Sequence, residues 1–468
     1  MNAEQIRSGL SHPVIDADGH QIEYLPLVRD LLVEDAGEEV AAGFDIVLGA
    51  GGLVRSLSPT QRRDLGITRP PWWGLPAANT LDRATAMLPS LLRSRLDELG
   101  IDVAVLYPTY GLIPTALDDP TLRPALARAF NRATAEVYDG QGDRLVPVAV
   151  IPTFSPDEAV AELEHAVGQL GLRAVVMGGV IPRPVLGAEG VRGARWIDTL
   201  GHDSVHDYDV LWRRCAELGV TPTFHASGFG WGSRTSTTNY VYNHLGNFAA
   251  AGEATCRSLV MGGALHRFPE VRFAFLEGGA AWAAALLSDL IGHLEKRGAT
   301  AIDHYDPMRV DRDRLLALVD EHGPPSVVAR RDRLDDAVLT LLSDPDEPVA
   351  DRDEFADSGL RTAEDVIASF AGQVFVGCEA DDRLNPLAFD RDLLPGGRPL
   401  NALFASDIGH WDVPDVRDVL PEAWEAVEEG RVSPEDFEAF TFANAVRLWG
   451  PDVFAGTTVA DRVVVPGR

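Results

Sequence analysis

Short apolar runs recur along the chain at intervals that leave room for a helix between them. Eight of them read as strands: VIDADGH (14–20), VAVLYPT (103–109), LVPVAVIP (145–152), RAVVMGG (173–179), TPTFHAS (221–227), VRFAFLEGG (271–279), QVFVGCEA (373–380) and NALFASD (401–407). Each is apolar or β-branched along most of its length instead of alternating. That is the pattern of a strand covered on both faces, as in a parallel sheet. Amphipathic segments lie between most of them. LPSLLRSRLDELG (88–100) carries Leu at helical spacing and stops at Gly100, a common helix terminator. SPDEAVAELEHAVGQLG (155–171) opens with Ser155, Pro156 and acidic residues, an N-cap with Pro in the first turn. YDVLWRRCAELG (208–219), AAWAAALLSDLIGHLEKRG (280–298) and SPEDFEAFTFANAVRLWG (433–450) read as helices too. Strand followed by helix, eight times over, predicts an α/β fold, a (β/α)8 TIM barrel.

Two stretches exceed this repeat. Residues 21–87 follow the first strand and contain PPWWGLP; residues 299–371, between the sixth and seventh, are acidic and mostly helical in pattern. Structureless loops of that length are rare in compact domains, so both are expected to carry local structure near the barrel mouth. The whole chain, 1–468, then reads as one barrel domain with two insertions.

Composition narrows the function classes. Hydrophobic residues make up 46% and charged residues 24%, which excludes wholesale disorder. The longest apolar stretches, such as AAWAAALL at 280–287, are far shorter than the ~20 residues a membrane span needs. MNAEQIRSGL has neither a basic nor an apolar region, so no secretory leader is expected. The net charge of −30 repels phosphate backbones and argues against nucleic-acid binding. Cys215, Cys256 and Cys378 are widely spaced and form no disulfide framework, which fits a reducing cytoplasm.

In barrels of this kind the working residues stand at the C-terminal ends of the strands. That rule selects Asp18 and His20 on the first strand, His225 on the fifth, Glu277 on the sixth, Glu379 on the seventh, and Asp407 with the following His410 on the eighth. Imidazoles and carboxylates gathered at one mouth can hold a divalent metal. Tyr107 ends the second strand, Arg183 follows the fourth, and His244 lies in NYVYNHLGNF. Arg183 could pair with an anionic substrate, and Trp72 and Trp73 could cover an apolar one.

The sequence resembles the amidohydrolase superfamily, in the branch that includes aminocarboxymuconate-semialdehyde decarboxylase and γ-resorcylate decarboxylase. DADGHQIE, RLDELGIDVAVLYPT, YDVLWRRCAELGVTPTFHASG, LHRFPEVRFAFLEGG, FASDIGHWD and FANAVRLWG carry the likeness. They fall in the family's order, each on a matching element. The resemblance implies one divalent ion, Zn2+ with Mn2+ as the alternative, on Asp18, His20, His225 and Asp407. Asp18 stands where many relatives have His, and the resorcylate-type enzymes have Glu. Glu277 stands where the decarboxylases have His. A carboxylate there repels a substrate carboxylate by about 1–4 kcal/mol at 4 Å unless it is protonated or paired.

The expected activity is therefore hydrolysis of a small cyclic or aromatic substrate by a metal-activated water, with Glu277 or Asp407 as base. His244, His410, Glu379, Arg183 and Tyr107 are the candidate substrate contacts. The alternatives are a nonoxidative decarboxylase and a non-catalytic, metal-stabilised binding protein. A homodimer or larger assembly is expected by family habit. Asp16 reads as a residue that orients a ligand. His202 and His206 read as loop, His266 as part of a turn, and Cys378 as a small buried residue. The Gly-Gly pairs match no phosphate-loop pattern.

Overall fold

The computed structural model describes residues 1–188, 194–226, 232–336 and 339–463. Ser227 of the fifth predicted strand and residues 337–338 of the second insertion lie outside them.

Among the described residues, ten strands form: β1 (Ile15–Gln21), β2 (Val103–Pro108), β3 (Leu145–Ile151), β4 (Ala174–Met177), β5 (Ile181–Pro184), β6 (Arg195–Asp198), β7 (Pro222–Phe224), β8 (Phe273–Phe275), β9 (Val374–Glu379) and β10 (Asn401–Ala405). Eight of them make one sheet in the order β1-β2-β3-β4-β7-β8-β9-β10, and every pair in it is parallel. This is a (β/α)8 barrel. All seven residues of β1 and all six of β2 are buried. Along β2, Ala104 and Leu106 join one apolar cluster while Val103, Val105 and Tyr107 join another. Strands covered on both faces must be apolar at consecutive positions, which is why the runs were continuous.

The seam between β1 and β10 is closed at the mouth. The Asp407 amide donates to the Asp18 carbonyl (2.9 Å). The Asp16 carboxylate accepts from the Ser406 amide (3.0 Å), the Ser406 hydroxyl (2.6 Å) and the Asp18 amide (3.2 Å). Gly19 makes room for it: a Cβ there would lie 2.6 Å from Asp16 Oδ2 and 3.0 Å from Leu106.

Helices cover the sheet. The segments at Pro89–Leu99, Asp209–Leu218 and Ala281–Arg297 form close to their predicted bounds. The stretch 155–171, expected as one helix, is α-helical over Pro156–Glu164 and then widens to a π-turn over His165–Gln169. The terminal helix is interrupted in the same way, at Ala439–Ala443. Such bulges insert one residue per turn without altering the apolar pattern much, so periodicity does not reveal them.

A second departure is the antiparallel hairpin of β5 and β6, where the apolar pattern predicts no strand. Its strands have four residues each, and β5 contains two prolines; short strands with Pro fall below what a pattern can signal. Residues 21–87 contain helices at Leu25–Ala36, Glu38–Ser56, Pro59–Asp64 and Thr80–Met87. Residues 299–371 contain helices at Arg312–His322 and Pro325–Val328, several 3-10 turns, and most of the helix Ala363–Gln373. No residue of Arg312–His322 is buried.

Candidate metal centre at the barrel mouth

β1 delivers two of the site residues. Its register against β2 slips between Asp16 and Gly19, so three steps on β1 face two on β2. Such a bulge re-aims side chains, and Asp18 and His20 turn to the same spot, with Asp18 Oδ1 3.5 Å from His20 Nε2. Asp407, beyond β10, brings Oδ1 to 3.4 Å from the same nitrogen. His225, just past β7, sets its ring centroid 5.0 Å from that of His20. Its Nδ1 lies 3.0 Å from the Ala226 carbonyl oxygen. A carbonyl only accepts, so Nδ1 carries the proton and Nε2 keeps a free lone pair. That lone pair faces Glu277 Oε2 at 3.0 Å.

Burial defines the electrostatics. Asp18, His20, His225 and Asp407 are each at most 3% exposed. Among the described residues, Asp18 Oδ1, His20 Nε2, His225 Nε2 and Glu277 Oε2 have no hydrogen-bond partner. Burial raises Asp18, Glu277 and Asp407 well above the usual carboxylate range, and neighbouring acids, Asp412 for Glu277 and Glu277 for Asp407, push further. Burial likewise holds His20 far below its usual range and His410 at about 3. Neutral imidazoles and carboxylates that resist carrying bare charge are what a cation would satisfy.

The spacings agree with a shared ion. Ligand atoms about 2.1 Å from one tetrahedral centre stand about 3.4 Å apart. Asp18 and Asp407 stand 3.5 and 3.4 Å from His20 Nε2, and one ligand atom each of Asp18, His20 and His225 lies within 4.8 Å of the others. The residues present therefore fit a divalent metal.

The backbone at two of these positions is unusual. Glu277 (φ 59°) and Asp407 (φ 48°) both adopt the left-handed region, which costs a non-glycine residue of order 1–2 kcal/mol and is often retained at functional sites.

The remaining candidates divide. His410 lies beside the cluster: its Nδ1 is 2.6 Å from Asp407 Oδ1, its Nε2 3.2 Å from the Thr109 hydroxyl, and its ring centroid 4.0 Å from that of His20. Tyr107 is fully buried, with its ring centroid 6.2 Å from that of His20. Glu379 groups with Glu277, Asp407 and Asp412, and burial followed by Glu277 pushes it up to about 9. His244 belongs to an aromatic wall with Tyr240, Phe248 and Trp411. Trp73 joins that wall through Trp411 and Tyr240, whereas Trp72 is 78% exposed.

Arg183 is not brought into the cluster. Its guanidinium donates to Asp198, to the Phe154 carbonyl and to the Tyr208 hydroxyl. Every nitrogen is committed to the hairpin and its supports, which leaves no free fork for an anion. Asp412, Trp411 and Thr109 were not singled out from the sequence. Asp412 lies in the loop after β10, beyond the strand-end positions, and only the side-by-side Trp411-Asp412 after His410 hinted at it.

Residues 72–339 match the family model described as amidohydrolase, more than half of the chain. The chain belongs to the amidohydrolase family. Within this amidohydrolase, His225 and Glu277 fall inside the matched span, while Asp18, His20, Glu379 and Asp407 lie outside it and join the site only through the fold. Among solved structures, an amidohydrolase from Mycobacterium avium subsp. paratuberculosis K-10 superposes with a TM-score of 0.53 at 17% identity, over 94% of this chain and 98% of that one. The 5-carboxyvanillate decarboxylase of Sphingomonas paucimobilis gives 0.50 at 12% identity, over 94% and 99%. A dihydroxybenzoic acid decarboxylase from Polaromonas sp. JS666, with bound manganese and 2-nitroresorcinol, gives 0.48 at 15%, over 94% and 98%. The likeness to the first two establishes the shared barrel. A search of the curated proteins finds no match. Among the described residues, no helix is long and apolar enough to cross a membrane.

Proposed function

We propose that the chain is a metal-dependent hydrolase of a small, uncharged, cyclic or aromatic substrate. The observation that supports this reading is the Glu277–His225 contact inside an acidic mouth. Glu277 Oε2 sits 3.0 Å from a nitrogen of the ion set. Among the described residues, no Arg or Lys forms an ion pair with Asp18, Glu277, Glu379, Asp407 or Asp412. Apart from the ion itself, a substrate carboxylate would face only acidic side chains there.

Asp18, His20, His225 and Asp407 would hold the ion, with Zn2+ as our assignment and Mn2+ the alternative. When bound, it supplies Lewis acidity toward a substrate carbonyl and lowers the pKa of a water at the site. Glu277 takes the proton of the attacking water and returns it to the leaving group. His410, held between Asp407 and Thr109, orients Asp407. The wall of Tyr240, His244, Phe248 and Trp411 flanks His225 through Phe248 and suits a flat ring. Our reading places the protein in a reducing compartment, with Cys215, Cys256 and Cys378 as free buried thiols, and as a homodimer or larger.

One observation favours decarboxylation instead. Burial keeps Glu277 well above the usual carboxylate range, and in its neutral form its O–H donates a hydrogen bond to a substrate carboxylate. Turnover of a panel of aromatic lactones, amides and acids in heavy-oxygen water separates the two. Label in the product supports hydrolysis; CO2 release from an acid without label overturns it.

A further inference from the structure

Glu23 stands just past the end of β1. Its carboxylate accepts from two consecutive main-chain amides in the loop after β2: Oε2 from Tyr110 (2.9 Å) and Oε1 from Gly111 (2.7 Å). Gly111 permits the approach, since a Cβ there would lie 2.8 Å from Glu23 Oε1. These amides open the 3-10 turn Tyr110–Ala116, where the first N–H groups lack partners within the turn. Burial pushes the Glu23 carboxyl up to about 7, and main-chain amides, not a cation, pull it back. An acid held in so dry a place without a cation is costly, so the loop it fixes is the feature to follow.

Thr109 is the residue immediately before that pair of amides. Its own amide donates to the Gln21 carbonyl (3.1 Å), so the loop is tied to the β1 exit on both sides of Ile22. The Thr109 hydroxyl lies 3.2 Å from His410 Nε2, and His410 Nδ1 lies 2.6 Å from Asp407 Oδ1. Both ring nitrogens are therefore engaged, and the plane of the imidazole follows from where Thr109 stands. Glu23, the loop, Thr109, His410 and Asp407 make one line of contacts from the β1 exit to the ion set.

We propose that Glu23 is a positioning residue for the metal centre: by clamping the amides of Tyr110 and Gly111 it fixes Thr109, which holds His410 against Asp407. The inference rests on the reading of Asp407 as a ligand. In this role Glu23 acts only through Thr109 and His410. A carboxylate offers two acceptors, whereas a Gln side chain offers one acceptor and one donor. Glu23→Gln thus leaves one of the two amides facing another N–H, and the loop shifts.

The test is Zn2+ binding to the purified full-length chain after stripping with chelator. Glu23→Gln and Thr109→Val are each expected to weaken binding by about tenfold. The double variant is expected to lose about the same factor as either alone, because both cut one line. Asp119→Asn is the control. Asp119 clamps the amides of Thr121 and Leu122 in the same way (2.8 and 2.9 Å), farther along the chain, and its loss is expected to leave the affinity within about twofold. Circular dichroism checks that each variant folds; should Glu23→Gln not fold, Glu23→Asp, which keeps the charge and shortens the reach, takes its place. Wild-type affinity in the Glu23 variant, an additive loss in the double variant, or an equal loss in Asp119→Asn overturns the positioning role. No uptake by the wild type overturns the ion itself, and the role with it.

Discussion

Glu277 carries the sharpest prediction at the scale of single residues. Its carboxylate is buried against His225 Nε2, and general-base catalysis contributes about 10²–10⁴ in rate. Glu277→Gln keeps the shape and removes the base. Turnover is expected to fall by about that factor, while elemental analysis still finds the ion on Asp18, His20 and His225. Turnover within tenfold of wild type would remove Glu277 from the mechanism. The strand-end rule could find Glu277 because it depends only on where an apolar run stops. It could not find Asp412, whose place at the mouth is set by a loop that folds back after β10. Arg183 shows the opposite case: a cation after a strand looks available in sequence, yet Asp198, fifteen positions on, has already taken it.

At the scale of elements, the barrel strands were legible because burial on both faces demands continuous apolar runs. The helices were legible through their ends. Gly100 closes Pro89–Leu99 in the left-handed conformation (φ 71°). A Cβ there would lie 2.6 Å from Leu420 and 2.9 Å from the Ala3 carbonyl oxygen. Gly100→Ala is therefore expected to destabilise the protein by about 2 kcal/mol, the sum of backbone strain and crowding. Denaturant unfolding measures it, and an unchanged midpoint would contradict the packing described. What sequence spacing did not reveal was the device at the seam. Asp16 joins β1 to Ser406 across 390 positions, and no local pattern encodes a partner that far away.

At the scale of the whole molecule, folding gathers uncompensated acids at one end of the barrel of a chain already at −30. That concentration ties stability to the bound ion. An ion at a thousandfold excess over its Kd stabilises the native state by about 4 kcal/mol. Chelator treatment is thus expected to lower the melting temperature, and Zn2+ or Mn2+ to restore it. A melting temperature indifferent to both would argue against an ion at the mouth.

By itself, the sequence determined the eight strands, their order of appearance and which polar side chains end them, because burial and helix capping are written in neighbouring residues. The tertiary structure decided which of those side chains meet. Barrel closure sets Asp18, near one end of the chain, against Asp407, near the other, and only closure brings Glu379 and Asp412 into the same cluster. Distances between residues hundreds of positions apart depend on strand tilt, a bulge and two loops. These are products of packing across the whole molecule, which local patterns do not carry.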